Sequence, residues 1–288
     1  MKLPRVQTWI SVSLLVVLTT TRLSWGDAAT EAYEDGARLL GERQHRTAIT
    51  AFDKALRLNP RYTEAYNARG IAYHELAQYD RAIKDYDEAL ALNPQYSEAY
   101  FNRGNAYNDM RQYEQAIKDY DEVIRLDQNH VGAYYNRALA HMTLQQGEAA
   151  VDARAYLNLR GWQEEEGRSQ YMVIFAYFGD RWAKRDNEAK QILEEAASKC
   201  NQAVWPYPVI RYLRREVSAE DLLAAATDSD KKTEARTYLG LDLMLAGKQE
   251  EGRRHLQWVK DNGRKAFAEY AFALAALQNA SANTVAKP

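Results

Sequence analysis

The stretch AIKDYDE occupies residues 82–88 and returns, letter for letter, at residues 116–122, 34 residues further on. Recurrence at a fixed period of about 20–50 residues is the mark of a repeat architecture. Aligned at that period, residues 63–96 and 97–130 share 17 identities, half of all positions. The shared residues have helical spacing. Tyr100, Arg103, Gly104 and Tyr107 fall at i, i+3, i+4 and i+7, and Ala116, Tyr120 and Val123 follow the same rule further on. Each period therefore reads as two amphipathic helices.

Polar turns such as Arg111-Gln112 separate the two helices of a period, and Asn59-Pro60 and Asn93-Pro94 separate successive periods, because proline cannot continue the preceding helix. Gly70 and Gly104 on the first helix pair with Ala82 and Ala116 on the second. Such small residues let two helix backbones approach while Tyr and Leu fill the flanking space. Tyr73, Tyr86, Tyr107 and Tyr120 read as core. On the second helix, Lys84, Asp85, Lys118 and Asp119 are expected to solvate the outer face.

These residues resemble the tetratricopeptide repeat (TPR), a 34-residue pattern with small residues at its eighth and twentieth places. The resemblance extends to residues 29–62, through Gly36, Ala48, Phe52, Ala55 and Pro60, and to residues 131–158, through Tyr134, Ala138 and Ala150. Ala32, His141 and Arg154 depart from it, standing where larger or aromatic residues are usual. The resemblance implies an all-α fold, a right-handed superhelix of antiparallel helix pairs. It places four repeats within residues 27–158 (29–62, 63–96, 97–130 and 131–158).

Residues 159–280 read as a helical extension. Two degenerate hairpins show there, one through Val173, Ala176, Ala189, Leu193 and Ala196, the other through Leu239, Gly240, Leu243, Gly252, Leu256 and Val259. Between them Pro206 and Pro208 rule out an unbroken helix, and Ser218-Ala219-Glu220-Asp221 resembles a helix start. A final helix with Phe267, Tyr270, Ala271 and Leu274 on one face is suited to capping the stack, with residues 281–288 as a frayed tail. Glu164-Glu165-Glu166 reads as a solvated face or linker.

Composition is that of a globular chain: 288 residues, 46% hydrophobic and 27% charged. At the N-terminus Lys2 and Arg5 precede an apolar stretch centred on Leu14–Leu18, followed by the small residues Ser24 and Gly26. Residues 1–26 thus resemble a secretory signal peptide, leaving no stable membrane span after cleavage and an exported, periplasmic or secreted product. The remaining chain carries a net charge of about −5. With no run of Lys and Arg beyond short pairs, nucleic acid is set aside as a partner.

TPRs behind an export signal, followed by a Trp-containing segment and a hairpin with Tyr238-Leu239-Gly240 near its start, resemble the NlpI-type envelope lipoproteins of bacteria. That resemblance implies a non-enzymatic adaptor, and a homodimer, since those proteins often dimerise. The lipid-attachment cysteine that defines them is missing here, so outer-membrane anchoring does not carry over.

Stacked hairpins expose a face lined by the first helix of each repeat. The candidate partner-binding residues on it are Asn67, Ile71 and His74, then Phe101, Asn102, Asn105 and Asn108, then Tyr135, Asn136 and Leu139. Asn amides can pair with peptide N–H and C=O groups, and aromatic rings hold apolar side chains. Glu64 and Glu98 occupy places where a clamp for a C-terminal carboxylate would need bases, so a neutral or mixed peptide or protein segment is the expected ligand. Each Asn could equally serve only to bond the adjacent repeat.

Catalytic and metal-binding motifs do not show, the five histidines are scattered, and neither a cofactor nor a metal is expected. The single cysteine, Cys200, reads as buried and unreactive. Two other readings stand beside the adaptor: a self-associating structural module, and an enzyme with its site in the irregular segment near Trp205. Against the enzyme, Arg211, Arg214 and Arg215 have no evident nucleophile beside them.

Overall fold

The computed structural model describes residues 28–162 and 167–285. The signal-peptide reading, the acidic run Glu164–Glu166 and the last three residues of the expected tail lie outside the described residues. Those residues form fifteen helices and no strand. They are α1 (residues 28–41), α2 (His45–Leu58), α3 (Thr63–Glu75), α4 (Tyr79–Leu92), α5 (Ser97–Asp109), α6 (Tyr113–Leu126), α7 (Val131–Thr143) and α8 (Ala149–Arg160). After these come α9 (Arg168–Trp182), α10 (Asp186–Lys199), α11 (Tyr207–Leu213), α12 (Ala219–Ala225), α13 (Ser229–Leu245), α14 (Gln249–Asn262) and α15 (Ala268–Val285). Two compact units result, one ending at Met110 and one beginning at Arg111.

A left-handed residue ends the first helix of each period: Arg43, Ala77, Arg111 and Gln145 have φ of 59°, 55°, 60° and 56° and lie 34 residues apart. The following amide N–H bonds back five residues, Gln44 to Leu39 and Gln78 to Tyr73 at 2.9 Å each, so otherwise orphaned helix-end carbonyls are satisfied. Lys184 and Gly247 close α9 and α13 in the same way, with Arg185 bonded to Asp180 and Lys248 to Leu243. The degenerate hairpins thus reuse the turn of the regular ones.

In the first unit α2, α3, α4 and α5 pack in succession, and the contact within a hairpin is made between residues i and i+16. A Cβ placed on Gly36 would lie 2.6 Å from the Phe52 ring, and one on Gly70 2.6 Å from the Tyr86 ring. Ala48, Ala65, Ala82 and Ala99 are fully buried around these approaches.

Arg69 on α3 adds a polar clamp. Its Nε and Nη2 grip Asp85 of α4 at 2.8 and 2.7 Å, and its Nη1 reaches Asp53 of α2 at 2.6 Å. Arg103 on α5 reaches Asp87 of α4 at 2.6 Å. In the second unit Arg137 on α7 repeats the device with Asp152 of α8 and Asp121 of α6. Asp85 and Asp119 are therefore not solvating residues, being 5% and 4% exposed. The Asp85 position looks polar in sequence because a guanidinium, and not water, satisfies it.

The second unit packs α6 to α10 in order, then α11 to α15 around α9 and α7. Arg137 meets Asp152 fifteen residues on, where Arg69 meets Asp85 at sixteen, so one residue is missing from the α7–α8 turn. With that shift Ala153, and not Arg154, stands where Tyr86 stands, while Arg154 bonds Asp180 of α9. Gly240 keeps the i, i+16 contact with Leu256, and a Cβ on Gly252 would lie 2.6 Å from the Gly240 carbonyl. Ser218 and Asp221 form a reciprocal capping box at the start of α12, as their spacing suggests.

The last helix differs from expectation. Its buried stripe is Glu269, Tyr270, Phe272, Ala273, Ala276 and Ala280, while Phe267 precedes the helix and Ala271 and Leu274 are half-buried. The helix also runs on to Val285, through residues expected to fray. The reason is that α15 packs against α7 as well as α13 and α14, a wider contact than an end cap makes.

Removing one partner of a buried ion pair strands the other charge. Asp85→Asn is expected to lower stability by about 2–3 kcal/mol in urea unfolding, against less than about 0.5 kcal/mol for the neighbouring exposed Lys84→Ala.

Candidate functional site

In the first unit the candidate face is carried by α1, α3 and α5. Asn67 is only 7% exposed, and its amide is fully engaged: Asn102 Nδ2 donates to Asn67 Oδ1 at 3.0 Å, and Asn67 Nδ2 donates to the Tyr96 hydroxyl at 3.4 Å. This pair ties α3 to α5, the structural alternative weighed for such amides. Ile71 is half-buried and packs on the Ala82, Tyr86 and Ala106 cluster. His74 Nε2 lies 3.0 Å from Asp109 Oδ2, with its ring edge-on to Tyr79 at 5.3 Å. Phe101, Asn105 and Asn108 are half-buried and share the α5 face with Asn102.

One edge of this face is aromatic and acidic. The Tyr33 and Tyr62 rings lie 4.9 Å apart, and the exposed carboxylates Glu64 and Glu98 act on Tyr33, Tyr62 and Tyr96. Partial burial, with the charges of Glu98 and Glu64, pushes the Tyr96 hydroxyl up to about 12. Negative charge here opposes a partner carboxylate. Tyr33, Tyr62 and Tyr96 were not singled out by periodicity, because tyrosine at helical spacing reads as core.

In the second unit Tyr135 and Leu139 of α7 pack against the main hydrophobic core, with the Tyr135 ring 5.8 Å from that of Tyr156. Asn136 beside them is half-buried. Met142, the next residue on that helix stripe, is fully buried. Tyr135, Asn136 and Leu139 thus sit half-buried on a helix that α15 and α9 also contact.

The segment near Trp205 does gather titratable groups. Trp205 Nε1 and the Tyr171 hydroxyl both donate to Glu234 Oε2, and Glu269 lies in the same cluster. Each carboxyl is 6% exposed, too enclosed to meet a substrate. Arg215 grips Asp242 at 2.7 and 3.1 Å, Arg214 pairs with Glu194 at 2.9 Å and Arg211 with Glu216 at 3.4 Å, so each of these bases has a carboxylate partner. Cys200 is 6% exposed and burial pushes its thiol up to about 11, away from the reactive thiolate. Among the described residues no three His, Cys, Asp or Glu side chains are placed to hold a metal ion, and no helix is long and apolar enough to cross a membrane.

Comparison with known proteins agrees with this geometry. The family model described as tetratricopeptide repeat matches residues 63–96 and 97–130, and a second, described as TPR repeat, matches residues 44–77. A tetratricopeptide repeat protein from Parabacteroides merdae is similar in structure at a TM-score of 0.58 and 16% identity, over 87% of this chain and 99% of that one. MamA protein is similar at a TM-score of 0.52 and 18% identity, over 67% and 98% of the two chains. YrrB, described as a TPR protein with an unusual peptide-binding site, is similar at 0.51 and 16%, over 65% and 91%. At these identities the likeness concerns the fold. Comparison with curated proteins gives no match. The matches make residues 44–130 tetratricopeptide repeats, and the same turn geometry recurs as far as Gly247, between α13 and α14.

Proposed function

We propose that the chain is an exported, non-catalytic adaptor that binds a neutral or mixed peptide, or a segment of a protein, along the face of α1, α3 and α5. The fold is that of protein-binding scaffolds. The observation that carries the reading is where the two closest copies agree and where they differ. They are identical at the packing positions Ala82 and Ala116, Asp85 and Asp119, and Tyr86 and Tyr120, all of them buried. They differ on the first-helix face, Asn67 against Phe101, Ile71 against Asn105 and His74 against Asn108, where every residue but the buried Asn67 is half-exposed. A frame kept constant beneath a varied, partly solvated face fits selection for a ligand and not for packing alone.

The proposal draws the face more narrowly than the sequence does. Asn67 and Asn102 orient the neighbouring helices, and Phe101, Asn105, Asn108, Ile71 and His74 are the half-exposed residues that would meet a partner in this unit. Export and the likeness to NlpI-type adaptors rest on the sequence alone.

A photo-crosslinking residue placed at Asn105 is expected to trap one discrete partner, and the same probe at the exposed Lys84 on α4 to trap none. Equal trapping at both positions would defeat the reading. For export, N-terminal sequencing of the cell-made protein should begin near Asp27, and recovery of the chain with Met1 intact inside the cell would contradict it.

A further inference from the structure

The second unit contains two buried carboxyl groups that no hairpin contact requires. Glu234 on α13 accepts hydrogen bonds from the Tyr171 hydroxyl of α9 at 2.7 Å and from Trp205 Nε1, in the segment before α11, at 2.5 Å. Glu269 on α15 accepts from the Tyr238 hydroxyl of α13 at 2.6 Å. Among the described residues neither carboxyl forms an ion pair. Two carboxylates enclosed with aromatic hydroxyls and no cation cannot both ionise without a large desolvation and repulsion cost.

The charged and titratable groups around them do not relieve that cost. Tyr135 of α7 faces Tyr171. Asp230, one turn before Glu234 on α13, adds negative charge and is itself paired with Arg264 at 3.2 Å. Lys231 lies over the Trp205 ring at 5.9 Å and pairs with Asp228 at 3.1 Å. On α14, His255 is engaged by Arg236 of α13 at 3.2 Å. Burial, then the charge of Glu269, pushes Glu234 up to about 7, and burial raises Glu269 as well.

What this cluster holds in place is α15. The Phe272 ring meets Phe175 of α9 edge-on at 5.8 Å, and Asn279 Nδ2 donates to Gln145 Oε1, just past the end of α7, at 3.2 Å. The helix α7 is the first of its pair, the type of helix whose face remains half-exposed in the first unit.

We propose that α15 is a proton-gated strap: while either Glu234 or Glu269 stays protonated it remains docked on α7 and α13, and ionisation of both carboxyls loosens it from both helices. This concerns the second unit alone and stands independently of the α1, α3 and α5 face. The docked form holds the raised carboxyls and so binds more protons than the released form. Docking is therefore fully favoured below the ordinary carboxyl range, weakens as pH rises from there, and is weakest above about 7. For one carboxyl moving between about 7 and an ordinary 4.3, the docking equilibrium falls roughly tenfold from pH 6 to pH 8.

Hydrogen exchange of the whole chain, corrected for the intrinsic pH dependence of amide exchange, tests this. In the unmodified protein, protection of α15 and of α7 should fall together by roughly tenfold between pH 6 and pH 8 while that of α3 holds. The double variant Glu234→Gln with Glu269→Gln, which keeps the shape without either charge, should abolish the fall. If far-UV circular dichroism shows that variant unfolded, Glu234→Gln takes its place, and the fall should then move to lower pH as the charge of one carboxyl is removed. An α15 response no larger than that of α3, a fall unchanged in a folded variant, or an α15 that loosens while α7 stays protected would each overturn the strap.

Discussion

Two helix backbones can approach closely only where one offers no side chain, and this chain meets that condition at i with a large residue at i+16. Gly36 lies under Phe52, Gly70 under Tyr86 and Gly240 under Leu256, each too close for a Cβ to fit without displacement. The turn follows from that contact. For residue i+16 to fold back onto residue i, the first helix must stop on a left-handed residue, and Arg43, Ala77 and Gly247 supply it. The Arg69 clamp then fixes the rotation of three successive helices about one guanidinium. With packing consumed on one side of each first helix, the other side is free to vary.

The two units use that freedom differently. In the first, amide and aromatic residues of α3 and α5 remain half-exposed, with Glu64 and Glu98 at their edge. In the second, α7 is drawn into the interior, and the chain supplies its own helix, α15, against it. A repeat fold can therefore present a surface or consume it, according to whether a later segment has the residues to cover it. Phe272, Ala273 and Ala276 give α15 a tightly packing stripe, and Glu269 places a carboxyl within it.

The repeats, their hairpin form and the small-residue contacts were legible because they obey a period, and a period survives in a single sequence. The clamp was not. Asp85 and Lys84 look alike as polar letters on a helix, and only the position of Arg69 decides that one is buried and the other solvated. The missing residue in the α7–α8 turn moved every later place of that repeat by one, which made Arg154 look like a departure. Asn67 and Asn102 were read as candidate partner-binding residues, and their mutual hydrogen bond depends on a side-chain approach that spacing does not encode. Glu234 and Glu269 are 35 residues apart, far from any motif, and only the return of α15 brings them together.

The account stands or falls on the i, i+16 approach, and a double-mutant cycle between Gly70 and Tyr86 measures it directly. Gly70→Ala alone should cost about 1–3 kcal/mol, because its Cβ would sit 2.6 Å from the Tyr86 ring. In a Tyr86→Val background the ring is gone, and the same change should be neutral or mildly stabilising, since alanine favours the helix by about 1 kcal/mol over glycine. A coupling of at least about 1 kcal/mol between the two sites is the expected result. Additive effects would mean that the close approach does not set the hairpin, and would contradict the account.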